Sequence, residues 1–145
     1  MSACAAKRMR MTWFAVVAGL SALTACSILD GPAEAPTTAS IVIGGPGPGP
    51  LTLVTSNQFV YIFDNFGNRR EEVVSADTST VDPGYRADLE LGGGARIFVS
   101  VGRPPETEAT PQVSLQLFVR EEAICEVESI LNDDVPEVIC TYTFN

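Results

Sequence analysis

The amino-acid sequence predicts an all-β fold, a single antiparallel β-sandwich. From residue 40 onward, apolar residues alternate with polar ones in short runs, a period of two that is typical of strands. These runs are rich in β-branched and aromatic residues and are separated by glycine, proline, asparagine and aspartate. Residues 40–145 suffice for one small domain with one hydrophobic core, so we expect one sandwich and not two.

The strands predicted from this alternation are short, and their number fits a sandwich of about seven to nine strands. They are 40–44, 51–55, 58–64, 72–76, 85–91, 95–101, 113–119, 123–129 and 137–144. Between the first two strands, residues 46–50 alternate proline with glycine. Because proline donates no ladder hydrogen bond, this segment predicts a kink or a crossover at a sheet edge.

Two hairpins are predicted from matching registers, the first with its turn at the glycines 92–94. This register sets Leu89 opposite Ile97 and Ala87 opposite Val99, so that apolar side chains meet on one face of the pair. Polar residues occupy the other face, with Phe98 as the exception. The glycines supply the positive φ angles that such a turn needs.

The second predicted hairpin turns at 132–133 and sets Cys125 opposite Cys140. Two cysteines at closely spaced opposing positions predict a cross-strand disulfide within this C-terminal hairpin. Closing a loop of about fifteen residues would stabilise the fold by about 3 kcal/mol in the chain-entropy model. The alternatives are two free buried thiols, or a metal site that no histidine could complete.

The first 25 residues have the pattern of a signal peptide. Lys7, Arg8 and Arg10 precede the uncharged apolar stretch 11–25, which is shorter than the roughly twenty residues that span a bilayer. The block Leu-Thr-Ala-Cys at 23–26 resembles the lipobox of bacterial lipoproteins. This resemblance implies that Cys26 is lipidated and becomes the new N-terminus, whereas the alternative is an ordinary secretory signal.

Removal of residues 1–25 sets the charge and the domain plan of the mature chain. It leaves six arginines against all eighteen carboxylates, a formal charge of −12, with no lysine and no histidine. We therefore expect no nucleic-acid partner, and we expect lipid rather than a basic patch to provide membrane attachment. Residues 26–39, rich in proline and threonine, predict a flexible tether before the domain at 40–145.

Ser27 follows the predicted lipidation site, where bacterial lipoproteins retained in the inner membrane usually carry aspartate. The resemblance therefore implies a cell-envelope protein in the outer membrane, if the organism has two membranes. With one membrane, the implied location is the outer face of the cytoplasmic membrane.

Three segments, 60–68, 74–81 and 95–101, resemble bacterial immunoglobulin-like domains. In those domains a strand runs into an Asp-x-x-Gly-Asn turn, a serine-rich stretch precedes a short strand, and a glycine-rich turn leads into an alternating strand. The resemblance covers residues 40–102. It implies an immunoglobulin-like sandwich that serves as a stalk, adhesion or packing module.

The residue types available for chemistry predict that the protein is not an enzyme and needs no cofactor. Without histidine or mature lysine, a serine or cysteine nucleophile has no evident base, so a paired-carboxylate glycosidase is the one enzyme class left open. Two turns offer oxygen ligands suited to calcium. The same residue types also serve turns for backbone reasons alone. These candidates are Asp64, Asn65 and Asn68 in one turn, and Asp133 and Asp134 in the other.

Two hypotheses of function follow from the sequence. The first is a lipid-anchored interaction or structural module that binds another envelope protein or a glycan. The second is an accessory lipoprotein that binds a small ligand or calcium. An exposed apolar patch would favour the first hypothesis, and a concave pocket with converging polar groups would favour the second.

Overall fold

A computed structural model describes residues 33–145, which contain eight β-strands and no helix. The strands are β1 Thr38–Gly44, β2 Leu51–Phe63, β3 Arg69–Val81, β4 Arg86–Glu90, β5 Arg96–Gly102, β6 Gln112–Val119, β7 Glu122–Ile130 and β8 Glu137–Thr143. The predicted signal peptide 1–25, the predicted lipidation site Cys26 and residues 27–32 of the predicted tether lie outside the described residues. Within the described range, no helix could cross a membrane.

The strands form two four-stranded sheets, which confirms the predicted antiparallel β-sandwich. The first sheet has the order β4-β1-β6-β7 and the second has the order β3-β2-β5-β8, with every neighbouring pair antiparallel. Alternate residues of the central strands point between the sheets and form the main core. Among the fully buried core residues are Ile41, Ile43, Leu115 and Leu117 from the first sheet, and Leu51, Val99 and Val101 from the second.

The predicted strands 51–55 and 58–64 form the single strand β2, with a bulge where a break was predicted. The pairing register of β2 with β3 shifts around Ser56. The Ser56 hydroxyl donates a hydrogen bond to the Ser75 carbonyl and accepts one from the Gln58 N–H. These bonds satisfy backbone groups that the bulge removes from the ladder, so the strand bends without ending.

The hairpin predicted around the glycines 92–94 is wrong, because the chain crosses between the sheets there. β4 pairs with β1 in the first sheet, whereas β5 pairs with β2 and β8 in the second. Leu89 and Ile97 still pack in the same core, on opposite sides of the gap between the sheets. Apolar alternation fixes which face of a strand is buried, and both a hairpin and a crossover satisfy it.

The register predicted for the C-terminal hairpin is wrong for the same reason, although the disulfide is confirmed. β7 pairs with β6 and β8 pairs with β5, so the two strands lie in different sheets. Cys125 and Cys140 are bonded, with their Cα atoms 5.8 Å apart. The disulfide therefore joins the two sheets at the side of the sandwich where β7 and β8 are the edge strands.

The turn between β6 and β7 is formed by two residues with no sequence signature of a turn. Arg120 and Glu121 have φ angles of 52° and 66°. A two-residue hairpin turn with both φ angles positive favours asparagine followed by glycine, since a Cβ is strained in this conformation. The predicted strands 113–119 and 123–129 leave room for a short connection, but its residue types do not indicate the positive φ angles of this turn.

Replacement of Glu121 by glycine is expected to raise the free energy of unfolding by about 1 kcal/mol. Glycine adopts a positive φ without the steric cost that glutamate bears. Urea-induced unfolding followed by circular dichroism would measure the change. The control is Glu122→Gly, one residue later at the start of β7, where glycine should destabilise the strand. Equal losses of stability in both variants would contradict this prediction.

Candidate functional site

The distal hairpin, which we define as residues 57–75, is the part of the β2–β3 pair that continues past β5. β2 pairs with β5 only as far as Ser56, whereas its pairing with β3 continues to Phe63. Beyond the bulge, the hairpin packs on the outer face of the second sheet. The Tyr61 hydroxyl lies 3.5 Å from the hydroxyls of Thr141 and Thr143 on β8.

A small aromatic cluster attaches the distal hairpin to this outer face. The ring of Phe59 is 1% exposed and lies 6.0 Å from the ring of Phe98 and 5.4 Å from that of Tyr61. The Arg96 guanidinium lies 4.6 Å from the centre of the Phe59 ring. Within the described chain, the buried Nε of Arg96 has no hydrogen-bond partner, so the ring face is its neighbour. This cluster explains why Phe98 interrupts an otherwise polar face.

The outward side and the tip of the distal hairpin expose bulky apolar side chains. Phe66 is 91% exposed, Val74 is 69% exposed and Phe63 is 64% exposed, the three highest values among the large apolar residues described. Val60, on the same hairpin, is also exposed. Concentrated apolar exposure on a small domain is typical of a contact surface for another macromolecule. The predicted turn at 64–68 already places Phe66 outside a strand. Phe63 and Val74 lie in predicted strands, where a period of two does not tell an exposed apolar residue from a buried one.

The tip of the distal hairpin is a turn organised by Asp64. Its Oδ1 accepts hydrogen bonds from the backbone N–H groups of Phe66 (2.8 Å) and Asn68 (2.9 Å). Its Oδ2 accepts one from the Asn68 side-chain amide (2.8 Å). The Asn68 side chain, followed by these backbone donors, holds the pKa of Asp64 below its ordinary value. Of the predicted calcium ligands, Asp64 and Asn68 thus meet in the turn, where they bond to each other.

Replacement of Asp64 by asparagine is expected to speed amide hydrogen exchange at Phe66 and Asn68 at neutral pH. The folded state lowers the pKa of Asp64, so its stabilisation is complete above the ordinary aspartate pKa and is lost as the pH falls through the lowered value. The difference between the variant and the original chain should therefore shrink below about pH 4. The control is Asn65→Ala, which removes a neighbouring turn side chain and should leave the exchange unchanged. A difference that does not depend on pH would refute the role of the carboxylate.

The second group of predicted calcium ligands lies in the loop between β7 and β8. Asp133 pairs with Arg103, and the Asn132 side chain accepts hydrogen bonds from the backbone N–H groups of Asp134 and Val135. These contacts again organise a turn. Across residues 33–145, no three histidine, cysteine or acidic side chains are grouped so that they could hold a metal ion.

A cleft of about 360 Å³ lies at the base of the distal hairpin. It is bordered by the β2 bulge, by β3 and by β4. β3 and β4 are edge strands of different sheets. Polar side chains surround a small apolar floor. Its polar lining includes Asn57, Gln58, Asp77 and Glu90, and its apolar lining includes Leu89 and Ile97. The sequence does not predict this cleft, because the hairpin expected around the glycines 92–94 places β4 beside β5 and not opposite β3.

The fold and the site together define an all-β sandwich domain with one side joined by a disulfide and one hairpin that presents apolar side chains. No family model, curated protein or solved structure matches this chain.

Proposed function

We propose that this protein is a lipid-anchored interaction module of the bacterial cell envelope, and that its distal hairpin contacts another envelope protein. The observation that carries this proposal is the concentration of the most exposed apolar side chains, Phe63, Phe66 and Val74, on one hairpin. Aromatic residues are enriched in the buried centres of protein interfaces, where they contribute large areas at low entropic cost. The alternative partner is a glycan, and the crosslinking experiment distinguishes the two.

The anchor in this proposal is the lipidated Cys26, and the domain begins with β1 at Thr38. A fully extended chain between these residues would reach about 40 Å. That reach would let the domain contact partners beside the membrane while the lipid keeps its local concentration high. The Cys125–Cys140 disulfide is consistent with an oxidising compartment outside the cytoplasm.

The anchor is tested by mass spectrometry of the protein from the membrane fraction. We expect an N-terminal Cys26 that carries acyl chains, and we expect Cys26→Ser to move the protein out of that fraction. An unmodified N-terminus at any other residue would refute the lipid anchor.

The interaction surface is tested by placing a photo-crosslinking amino acid at Phe66 of the full chain in intact cells of the native host. The matched control places the same amino acid at Ile130, an exposed apolar position at the end of β7. We expect one protein adduct of discrete mass from position 66 and none from position 130. We also expect Phe63→Ser to weaken the adduct from position 66.

The outcomes of the crosslinking experiment separate the two functions. A protein adduct specific to position 66 supports the proposed module. An adduct that lysozyme-type digestion of the cell wall shortens to the protein with a small glycan fragment attached would identify a glycan contact. Equal crosslinking from both positions, or none from position 66, would refute the distal hairpin as the contact surface.

A further inference from the structure

We propose that the free edge of β3 accepts an extended strand of a partner protein, and that a lysine or arginine of this strand enters the cleft beside Asp77 and Glu90. This inference rests on the proposed function and specifies the partner by its chemistry. It concerns a different surface from the apolar tip, so the two can be tested apart.

β3 is a long strand at the edge of its sheet. It spans thirteen residues, ends the order β3-β2-β5-β8 and pairs with β2 alone. In an antiparallel ladder, alternate residues of an edge strand direct their N–H and C=O groups away from the sheet. β4, the neighbouring edge of the other sheet, has five residues, and β7 and β8 are joined by the disulfide. β3 is therefore the longest free edge in the described chain.

The part of β3 beside the cleft consists of small residues. Residues 75–80 are Ser-Ala-Asp-Thr-Ser-Thr, all of them exposed. Their side chains are small, and none is proline, so the backbone is accessible to a pairing strand. The only charge in this stretch is that of Asp77. Pairing at such an edge obtains affinity from main-chain hydrogen bonds and specificity from the side chains that enter adjacent pockets.

Asp77 lies on the face of β3 that opens into the cleft. It pairs with Thr55 of β2, on the same face as the core residues Leu51 and Leu53. A residue directly opposite Asp77 on an added strand would have its Cβ about 5 Å from that of Asp77 and would point to the same face. That face opens into the cleft, which Glu90 of β4 also lines.

The negative charge of the cleft is complementary to a basic side chain. The residues that line the cleft include two acidic ones, Asp77 and Glu90, and no arginine. An unpartnered carboxylate at the inner side of an edge strand opposes pairing with apolar or acidic strands. A strand with a lysine or arginine at that position would neutralise this charge. The two carboxylates thus select a basic partner strand against others.

The experiment uses the purified full chain in detergent micelles and three synthetic peptides. Each peptide has nine residues that alternate threonine and valine, with lysine, glutamate or norleucine at the centre. We expect the lysine peptide to shift the amide NMR signals of residues 75–80 and to bind at least about tenfold more tightly than the other two. We expect its affinity to fall about tenfold in Asp77→Asn/Glu90→Gln and at high salt.

The matched control is Glu121→Gln/Glu122→Gln, which removes the same charge at the β6–β7 turn and should leave binding unchanged. Equal affinity for the lysine and glutamate peptides, shifts confined to the distal tip, or no binding at millimolar peptide would each overturn the inference. If the peptide results overturn the β3 edge while the original chain still gives the Phe66 adduct, the proposed function stands and only the inference fails. Absence of the Phe66 adduct from the original chain would instead count against the proposed function.

Discussion

Replacement of both Cys125 and Cys140 by alanine is expected to lower the free energy of unfolding by about 3 kcal/mol. The disulfide closes a loop with a sequence separation of 15 and restricts the unfolded chain accordingly. It also joins strands of different sheets, so no ladder hydrogen bonds between β7 and β8 replace it. Because small domains are stable by about 5–15 kcal/mol, the loss is a large fraction of the total.

Urea-induced unfolding of the variant, compared with the original chain with and without reductant, measures this effect. The reduced original chain should match the double alanine variant to within about 1 kcal/mol, since both lack the bond and only the side chains differ. The dependence of the unfolding free energy on urea should also be steeper without the bond, because the unfolded chain expands further. A loss well below 1 kcal/mol would show that the two sheets hold together at this side without the disulfide.

The disulfide also shows how far the sequence could predict the fold. Alternation of apolar residues predicted where the strands lie, apart from the break between residues 55 and 58, and which of their faces are buried. The predicted bond between Cys125 and Cys140 is also confirmed, although the register from which it was predicted is wrong. The same alternation predicted the wrong neighbours for β4, β5, β7 and β8. Two strands that follow each other in sequence can place the same residues face to face within one sheet or across two sheets. Side-chain periodicity carries no information that separates these arrangements.

The candidate site was less predictable than the fold, because it depends on a bulge and on exposure. The register shift at Ser56 changes which residues of β2 face protein, and it bends the distal hairpin over the second sheet. Phe59 and Phe66 are therefore the same residue type in the same hairpin, yet the first is buried and the second is almost fully exposed. The predicted turn at 64–68 contains Phe66 and the predicted strand 58–64 contains Phe59, but the sequence does not indicate the aromatic cluster that buries Phe59. The Asp64 turn, in contrast, was predictable from its Asp, Asn and Gly residues.

Replacement of Phe59 by alanine is expected to lower the free energy of unfolding by about 3–5 kcal/mol. The ring is 1% exposed and contacts Phe98 and Tyr61 edge to face or tilted, so its removal leaves a cavity in the aromatic cluster. The Arg96 guanidinium would lose the ring face that it lies against, which adds to the cost. Since this cluster is separate from the core between the sheets, hydrogen exchange should rise first in the distal hairpin.

The matched control is Phe66→Ala, which removes the same ring from the exposed tip and should change stability by no more than about 0.5 kcal/mol. Urea-induced unfolding of both variants gives the comparison, and amide exchange locates the loss. Because Phe59 attaches the distal hairpin to β5 and β8, Phe59→Ala should also weaken the crosslink from position 66 while the sandwich stays folded. Equal stability of the two variants would show that the aromatic cluster does not attach the distal hairpin to the second sheet. The apolar tip of the hairpin would then not be held in a fixed position.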